Sequence, residues 1–100
     1  MLFSIHCLDR HDGGELRQSV APAHAAYVRA HMESIVFGGP LLATDGVTRI
    51  GTLIVVEMGS RTEAQEFLRN EPYCAAGLFA RCEVHEQQLL VERGRPVPTR

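Results

Sequence analysis

Hydrophobic and polar positions alternate with the short period of a β-strand in several segments of the chain. Residues 2–9, LFSIHCLD, are apolar and are followed by turn residues, which predicts a first strand. The strongest strand pattern covers residues 50–58, IGTLIVVEM. Residues 81–92 alternate apolar with polar side chains and predict the last strand.

Residues 35–44, IVFGGPLLAT, have the branched and aromatic composition of another strand. Gly38, Gly39 and Pro40 interrupt this segment. Because glycine weakens a strand and proline cannot donate to a ladder, the interruption predicts a bend or a sheet edge. Turn residues separate the segment from residues 50–58, so the two are predicted to pair as a hairpin.

The first helical pattern runs from about Ser19 to Ser34. Its apolar positions recur at three- and four-residue spacing and form one stripe: Val20, Ala23, Tyr27 and Ala30. Pro22 lacks an N–H and fits the first turn of a helix, where no hydrogen bond is lost. The well-formed part of the helix is therefore predicted to begin between Ser19 and Pro22.

A second helix is predicted over residues 61–70, RTEAQEFLRN. Ser60 and Glu63 have the spacing of a capping box, in which each side chain satisfies a backbone N–H at the start of a helix. Pro72 ends the helical run, because proline cannot continue it.

The order of these elements is β-α-β-β-α-β. It predicts an α+β protein with the ferredoxin-like fold, in which a four-stranded antiparallel sheet carries both helices on one face. A chain of 100 residues, 45% hydrophobic and 22% charged, is expected to form one globular domain. We place this domain at residues 1–92 and predict a flexible C-terminal tail at residues 93–100.

The ferredoxin-like fold leaves one face of its sheet without helices. Residues 53–56, LIVV, place apolar side chains on both faces of the third strand. An open face of this kind would expose a large apolar patch to water. We therefore predict a homodimer that buries sheet against sheet.

Charge and cysteine content argue against several classes of function. A net charge of −2 provides no broad cationic surface for phosphates, so nucleic acid is not an expected partner. Cys7, Cys74 and Cys82 are odd in number and form no Cys-x-x-Cys pair, which argues against a disulfide framework or a zinc ribbon. Reduced thiols, and the lack of a signal-peptide or transmembrane pattern after Met1, predict a cytoplasmic protein with no membrane partner.

Two residues are candidates for proton transfer. His24 lies about one turn into the predicted helix, where the helix dipole disfavours imidazolium, and a neutral imidazole is a usable base near pH 7. Glu71 precedes Pro72, which pushes it toward an extended conformation and restricts the direction of its carboxylate. We hypothesise that Glu71 orients His24 or shares its proton. A half-buried structural histidine and a solvated helix-end carboxylate are the alternatives, since spacing alone does not show that the two residues meet.

The other histidines do not predict a metal site. His24 and His31 are separated by about 10 Å along a helix, which is too far for one zinc ion. His6 and His85 are predicted to face each other from neighbouring strands, and a cross-strand contact is favoured over metal binding.

Other candidates near Glu71 favour structural roles when each is taken alone. Cys74 follows an aromatic residue at a possible helix start, but a buried, inert thiol is the preferred interpretation. Tyr73 and Phe79 are interpreted as core or dimer-interface side chains rather than as a ligand cage.

Four segments, in this order and at these separations, resemble the YCII-related domain family: ELRQSVAPAHAAYV, GGPLLATDG, IGTLIVVEM and EPYCAAGLF. The resemblance runs from the first strand to the last and covers most of the chain. Its most specific part is a histidine early in helix one, combined with an acid-Pro-Tyr and a following Ala-Gly.

This resemblance implies a dimeric α+β barrel, related in fold to muconolactone isomerases, with a pocket between helix one and the sheet near the dimer interface. The family's suspected active site is a histidine–aspartate dyad, and its relatives include a dehydrochlorinase of chlorinated hydroxyquinols. The histidine corresponds to His24 and the aspartate to Glu71, whose extra methylene would require the helix end or the ring to shift. The resemblance also places Arg17 on an arginine in the loop before helix one and Thr52 on a small hydroxyl residue that lines the pocket. Together with Tyr73, these are the predicted substrate-binding residues.

Two classes of function agree with these residues. The first is a small lyase, dehydrochlorinase or isomerase that uses His24 and Glu71 for proton transfer on a small polar or aromatic acid. Arg17 would then be available for developing negative charge, and no metal or organic cofactor is called for. The second is a non-catalytic dimer that binds a small ligand or another protein in the same pocket.

Overall fold

The computed structural model describes residues 1–98. Its main strands are β1 (Leu2–Asp9), β2 (Ile35–Leu42), β3 (Arg49–Glu57) and β4 (Phe79–Gln87). The helices are α1 (Gly14–Ala30), α2 (Arg61–Asn70) and α3 (Pro72–Ala75), and a 3₁₀ turn covers Met32–Ser34. Two short strands, β5 (Val91–Glu92) and β6 (Arg95–Pro96), pair with each other.

The four main strands form one antiparallel sheet in the order β2-β3-β1-β4. The connection through α1 therefore passes over β3, and the connection through α2 passes over β1. Two such split β-α-β units define the ferredoxin-like fold. The predicted α+β fold with its four-stranded antiparallel sheet is confirmed.

The hydrophobic core lies between one face of the sheet and the helices. Alternate residues of β1 and β3 supply the sheet side and α2 supplies the helix side: Phe3, Ile5, Cys7, Ile54, Val56, Ala64 and Phe67. Full burial of a large apolar side chain stabilises a fold by about 1.5–3 kcal/mol. This layer holds β3 and α2, the elements that lead into the candidate site, in fixed relative positions.

The start of α2 has the predicted capping box. The Ser60 hydroxyl accepts the backbone N–H of Glu63 at 3.2 Å, and the Glu63 carboxylate accepts the backbone N–H of Gly59 at 2.8 Å. Both donors would otherwise lack a partner within the helix. This local prediction is confirmed, with Gly59 rather than Ser60 as the second donor.

Helix α1 begins earlier than its proline suggests. It starts at Gly14, so Pro22 lies inside the helix and the predicted start beside Pro22 is wrong. An interior proline removes a backbone hydrogen bond and costs about 3 kcal/mol. Contacts of the first turns offset this cost, among them those of Arg17, the only buried residue of Gly14–Ala30. The predicted apolar stripe is only half correct, because Ala23 and Ala30 are exposed.

Strand β4 is shorter than predicted, since it ends at Gln87 and not at residue 92. Residues 91–96 instead form the hairpin of β5 and β6. Its two turn residues, Arg93 and Gly94, have φ angles of 50° and 75°, which suit a two-residue hairpin turn. The predicted tail thus starts inside a paired turn. Its flexibility stays a prediction, and residues 99–100 lie outside the described residues.

Strand β2 forms an edge of the sheet, as predicted from Gly38–Pro40, and it stays continuous through them. Pro40 lies opposite Thr52, and an edge strand tolerates its missing donor. Gly38 serves a close approach, because a Cβ there would lie 2.6 Å from Cγ1 of Ile54. Only glycine allows β2 to lie this near to β3.

The second face of the sheet carries Ser4, His6, Leu53 and Val55 from its two central strands. Val55 is already only 4% exposed, and it lines a cavity together with Leu89 and Val91, which follow β4. The helices of residues 1–98 pack on the opposite face. A homodimer that buries the open face stays a prediction. No helix within residues 1–98 is long and apolar enough to cross a membrane.

Candidate active site

A cavity of about 340 Å³ lies between α1 and the strands β2 and β3. Its polar lining consists of Arg17, His24, Arg49, Thr52 and Tyr73. Its apolar lining consists of Val28, Met32, Ile35, Val36, Phe37 and Ile54, together with Gly38, Gly39 and Pro40. A small organic molecule fits a space of this size, and a few polar groups in a mostly apolar wall are typical of ligand sites.

Helix α1 brings His24 to the cavity, and Glu71 meets it from behind. The Nδ1 atom of His24 and the Oε1 atom of Glu71 are in hydrogen-bond contact. An ionised carboxylate only accepts hydrogen bonds, so the tautomer that matches this contact carries its proton on Nδ1. In the neutral ring Nε2 then holds the free lone pair, and it makes no hydrogen bond to any residue of 1–98.

Glu71 lies between two helices, as the C-cap of α2 and the N-cap of α3. Its backbone is extended, with φ −66° and ψ 129°, as expected before Pro72. The Oε2 atom accepts the backbone N–H of Cys74 at 3.3 Å, an N-cap contact. Glu71 is only 3% exposed. The helix junction therefore fixes the carboxylate in the one direction that leaves Oε1 to His24.

Tyr73 supports the other side of the His24 ring. The two rings are stacked, with centroids 4.2 Å apart and an interplanar angle of 22°. Burial raises the pKa of the Tyr73 phenol, partly opposed by the nearby charge of Arg17. Tyr73 is thus a neutral aromatic wall that prevents His24 from rotating away from Glu71.

Arg17 connects α1 to the sheet through Asp9 and β3. Its Nε and Nη2 atoms donate to the two carboxylate oxygens of Asp9 at 2.7 and 2.9 Å. Nη2 also donates to the carbonyl oxygen of Gly51 at 3.1 Å and to Oγ1 of Thr52 at 3.2 Å. The guanidinium carbon lies 4.5 Å from the centre of the Tyr73 ring. Burial alone would lower the pKa of Arg17, but the hydrogen bonds and charge of Asp9 raise it above its ordinary value.

Four of the five predicted site residues line the cavity: Arg17, His24, Thr52 and Tyr73. The fifth, Glu71, reaches it only through His24. The prediction that Arg17 precedes helix one is wrong, because α1 starts at Gly14. Tyr73 is a buried packing residue and a cavity residue at once, so both interpretations of it describe its position.

Two site residues were not found from the sequence. Asp9 is the last residue of β1 and accepts hydrogen bonds from Arg17, while Arg49 is the first residue of β3 and lines the cavity. Neither belongs to a motif, and both stand beside turn residues, where charged side chains are common. Only strand pairing and the position of α1 bring them to the site.

His6 and His85, the histidines predicted to face each other, do not lie directly opposite in the sheet. His6 lies opposite Glu83 and His85 lies opposite Ser4, so the two histidines are diagonal and not face to face as predicted. Within residues 1–98 no cluster of three His, Cys, Asp or Glu side chains could hold a metal ion. Burial raises the pKa of the Cys74 thiol, which agrees with its interpretation as an unreactive cysteine.

Proteins from bacteria and a fungus are similar to this chain. Protein YciI of Escherichia coli O6:H1 (strain CFT073) is 34% identical over 93 residues, which cover 84% of this chain and 93% of YciI. The derivative of benzaldehyde biosynthesis cluster protein C from Emericella nidulans is 31% identical over 71 residues, which cover 63% of this chain and 72% of that protein.

A solved structure shares the fold. It is the 5-chloro-2-hydroxyhydroquinone dehydrochlorinase TftG from Burkholderia phenoliruptrix AC1100, in complex with 2,5-dihydroxybenzoquinone. TftG is 33% identical, with a TM-score of 0.81 over 88% of this chain and 94% of its own. The model of the YCII-related domain matches residues 1–88, which contain all four strands of the main sheet. This chain therefore belongs to the YCII-related domain family.

Proposed function

We propose that this protein is a small lyase or isomerase in which His24 and Glu71 transfer a proton on a small polar or aromatic acid. The observation that carries the proposal is the position of the His24 ring. One ring nitrogen contacts the Glu71 carboxylate, and the same ring lines a cavity large enough for such a ligand. A general base has to be oriented and has to reach its ligand, and His24 meets both requirements.

The chemistry of a relative supports this reaction class. TftG is a dehydrochlorinase by name. Loss of HCl from an organic molecule requires a base to remove a proton while chloride departs with the bonding electrons. His24 could serve as that base, which makes elimination a natural first reaction to test.

In the proposed reaction, Nε2 of His24 removes a proton from the ligand. The electron pair of the broken bond forms a new double bond, and a leaving group departs with its own electron pair in the lyase case. In the isomerase case His24 returns the proton to another carbon. Glu71 stabilises the imidazolium that forms in between, because its carboxylate accepts from Nδ1 throughout.

Arg17 and Thr52 would act on developing negative charge. The Arg17 guanidinium is held by Asp9 and by β3 before any ligand arrives. Preorganised donors of this kind stabilise a transition state without having to reorient. Tyr73 keeps both the guanidinium and the imidazole in place through its ring.

The proposal includes a homodimer through the open sheet face. Phe37 is 58% exposed, pairs with Val55 of that face and also lines the cavity rim. A second copy packed on this face would bury Phe37 and close the cavity on that side. Closure of this kind would exclude water from the imidazole.

We also assign the protein to the cytoplasm. The thiols of Cys7, Cys74 and Cys82 are free, as is usual where the environment is reducing.

A substrate screen tests the proposed reaction. Chlorinated hydroquinones and unsaturated or aromatic acids are incubated with the wild type, with His24→Ala and with His11→Ala. The exposed His11 lies in a turn, so its replacement controls for loss of any imidazole. We expect His24→Ala to lower kcat by about 100-fold or more while His11→Ala retains activity.

Two results would contradict the proposed enzyme activity. Equal activity of His24→Ala and the wild type would show that His24 does not take part in the reaction. Thermal stabilisation by a probe that is never converted would instead support the non-catalytic binding module.

A further inference from the structure

The cavity has a polar end and an apolar end, with His24 between them. Along α1 the lining residues follow in the order Arg17, His24 and Val28, and the Cα atoms of Arg17 and His24 are about 10 Å apart along the helix axis at 1.5 Å per residue. Their side chains lie closer together, because the guanidinium carbon of Arg17 and the ring centre of His24 are 4.5 and 4.2 Å from the centre of the Tyr73 ring. Along β3 the order is Arg49, Thr52 and Ile54. The hydrogen bond from Arg17 to Thr52 shows that the polar ends of both elements coincide.

The polar end carries positive charge that the cavity wall does not balance. No Asp or Glu of residues 1–98 lines the cavity. Asp9 neutralises Arg17 from behind, and Glu71 is engaged with His24. Arg49 is exposed and forms no hydrogen bond or ion pair with the described residues, so its charge is available.

Arg17 belongs to the polar end of the cavity although its charge is paired. Its Nε and Nη2 atoms donate to Asp9, Gly51 and Thr52. The guanidinium also interacts with the side chain of Tyr73. Arg17 lines the cavity together with Arg49, so it adds a fixed cationic group to this end of the wall.

We propose that Arg49 and the guanidinium group of Arg17 form a subsite for the carboxylate of a small aromatic or unsaturated acid. The apolar body of that acid would extend past His24 toward Val28 and Ile54. Two guanidinium groups suit a carboxylate because it has two acceptor oxygens. Arg17 is fixed and defines the position of the carboxylate, while Arg49 adds the unbalanced charge that selects an anion over a neutral group.

This subsite deepens the proposed function and rests on it only for the role of His24. The position of the carboxylate decides which atom of the ligand meets the base. An acid anchored at the polar end would present a ring or chain carbon to Nε2. A neutral quinol would lack this anchor.

Binding of a matched pair of probes tests the subsite without requiring turnover. The probes are 2,5-dihydroxybenzoate, ionised at pH 7, and its neutral analogue 2,5-dihydroxybenzamide. Their Kd values are measured by calorimetry or by ligand-observed NMR on the full chain, and are expected in the millimolar range for molecules of this size. The ratio of the two Kd values reports the preference for the anion.

Arg49→Gln removes the charge, Arg49→Lys retains it, and Arg29→Gln is the control. Arg29 is exposed on α1, lies outside the cavity lining and changes the net charge equally. We expect the benzoate to bind about three- to tenfold tighter than the amide in the wild type. Arg49→Gln should abolish this preference, while Arg49→Lys and Arg29→Gln keep it.

Three results would overturn the subsite. In the first, Arg49→Gln keeps the wild-type preference for the benzoate over the amide. In the second, Arg29→Gln loses this preference as fully as Arg49→Gln, and in the third the wild type shows no preference, which includes failure of both probes to bind at millimolar concentration. His24→Ala separates this proposal from the enzyme. If His24→Ala keeps the preference for the anion and the wild type converts no probe or substrate, the subsite is supported and the proposed enzyme activity is rejected. If the wild type converts a substrate but the Arg49→Gln variant still prefers the anion, the enzyme activity is supported and the subsite is rejected.

Discussion

At the scale of single residues, His24 and Arg17 are each held by an acidic partner that does not itself line the cavity. Glu71 orients His24, and Asp9 holds Arg17. In both pairs a carboxylate at the end of one element fixes a basic group on α1. The basic groups face the ligand, and the acids set their direction and charge. Substitution of an acid should therefore change the site without changing its lining.

Asp9→Asn is expected to destabilise the fold because it leaves the buried guanidinium of Arg17 without its counter-charge. The side chains of Arg17 and Asp9 are only 9% and 7% exposed. Removal of one partner from such a pair costs about 3 kcal/mol. Urea unfolding measures this loss. Asp12→Asn is the control, because its side chain is 84% exposed beside Arg10 and should change stability by less than about 0.5 kcal/mol. Equal stability of both variants would contradict a structural role for Asp9.

At the scale of elements, the approach of β2 to β3 shapes the floor of the cavity. Ile54 and Gly38 are in contact there, with no room for a side chain on the glycine. The next residue, Gly39, has no heavy atom within 4 Å of the position of a Cβ. Two neighbouring glycines of one strand thus differ in what they tolerate.

Gly38→Ala is expected to lower the free energy of unfolding by about 1–3 kcal/mol, because the added methyl group must displace Ile54 or the strand. Gly39→Ala should be within about 0.5 kcal/mol of the wild type, as for open surface sites. Chemical denaturation of the two variants gives the comparison. A larger loss for Gly39→Ala than for Gly38→Ala would show that β2 lies differently against β3.

The start of a helix or the edge position of a strand can be predicted from the sequence where a few neighbouring residues determine it. Ser60 and Glu63 define the start of α2, and Gly38–Pro40 indicate an edge strand, because each feature depends on groups within one turn or one strand. The start of α1 is different. Arg17 stabilises the early turns through Asp9 and Gly51, and such contacts between distant segments leave no local pattern in the sequence.

At the scale of the whole molecule, the order of elements sufficed to predict the fold, but strand register decided the site. The register of β1 and β4 makes His6 and His85 diagonal, and a spacing argument does not contain that register. The meeting of His24 with Glu71 likewise depends on how α1 packs on α3. The chemistry of the two residues and the family resemblance both indicated that pair, whereas Arg49 belongs to no quoted motif and was found only as part of the cavity lining.

Stability should fall in alkaline solution. Burial raises the pKa of the thiols of Cys7 and Cys74 and of the phenols of Tyr27 and Tyr73. The folded protein keeps these protons at pH values where the unfolded chain has lost them, so the free energy of unfolding decreases as pH rises. The decrease should begin near the ordinary thiol pKa of about 8.5 and continue past the ordinary phenol pKa of about 10.

Urea unfolding at a series of pH values measures this decrease. Cys7→Ala is less stable at neutral pH but should show a shallower decline, because one of the titrating groups is absent. Constant or rising stability over the same interval would contradict burial of these protons.

The open sheet face predicts a dimer that a charge can disrupt. Leu53→Glu places a carboxylate in the middle of that face, and a buried unpaired charge is costly. Val47→Glu is the control, since Val47 is 77% exposed in the turn between β2 and β3. Analytical ultracentrifugation should show dimers of the wild type and of Val47→Glu and monomers of Leu53→Glu. A monomeric wild type would rule out this assembly.

Once a substrate is identified, a double-mutant cycle on kcat decides whether His24 and Glu71 act as one unit. Glu71→Gln keeps the shape of the acid and removes its charge, and it should lower kcat by about 100-fold. The double variant His24→Ala with Glu71→Gln should be no slower than His24→Ala alone, because an acid without its imidazole has nothing left to assist. Losses that multiply in the double variant would mean that the two residues contribute separately and that proton transfer through the pair does not occur.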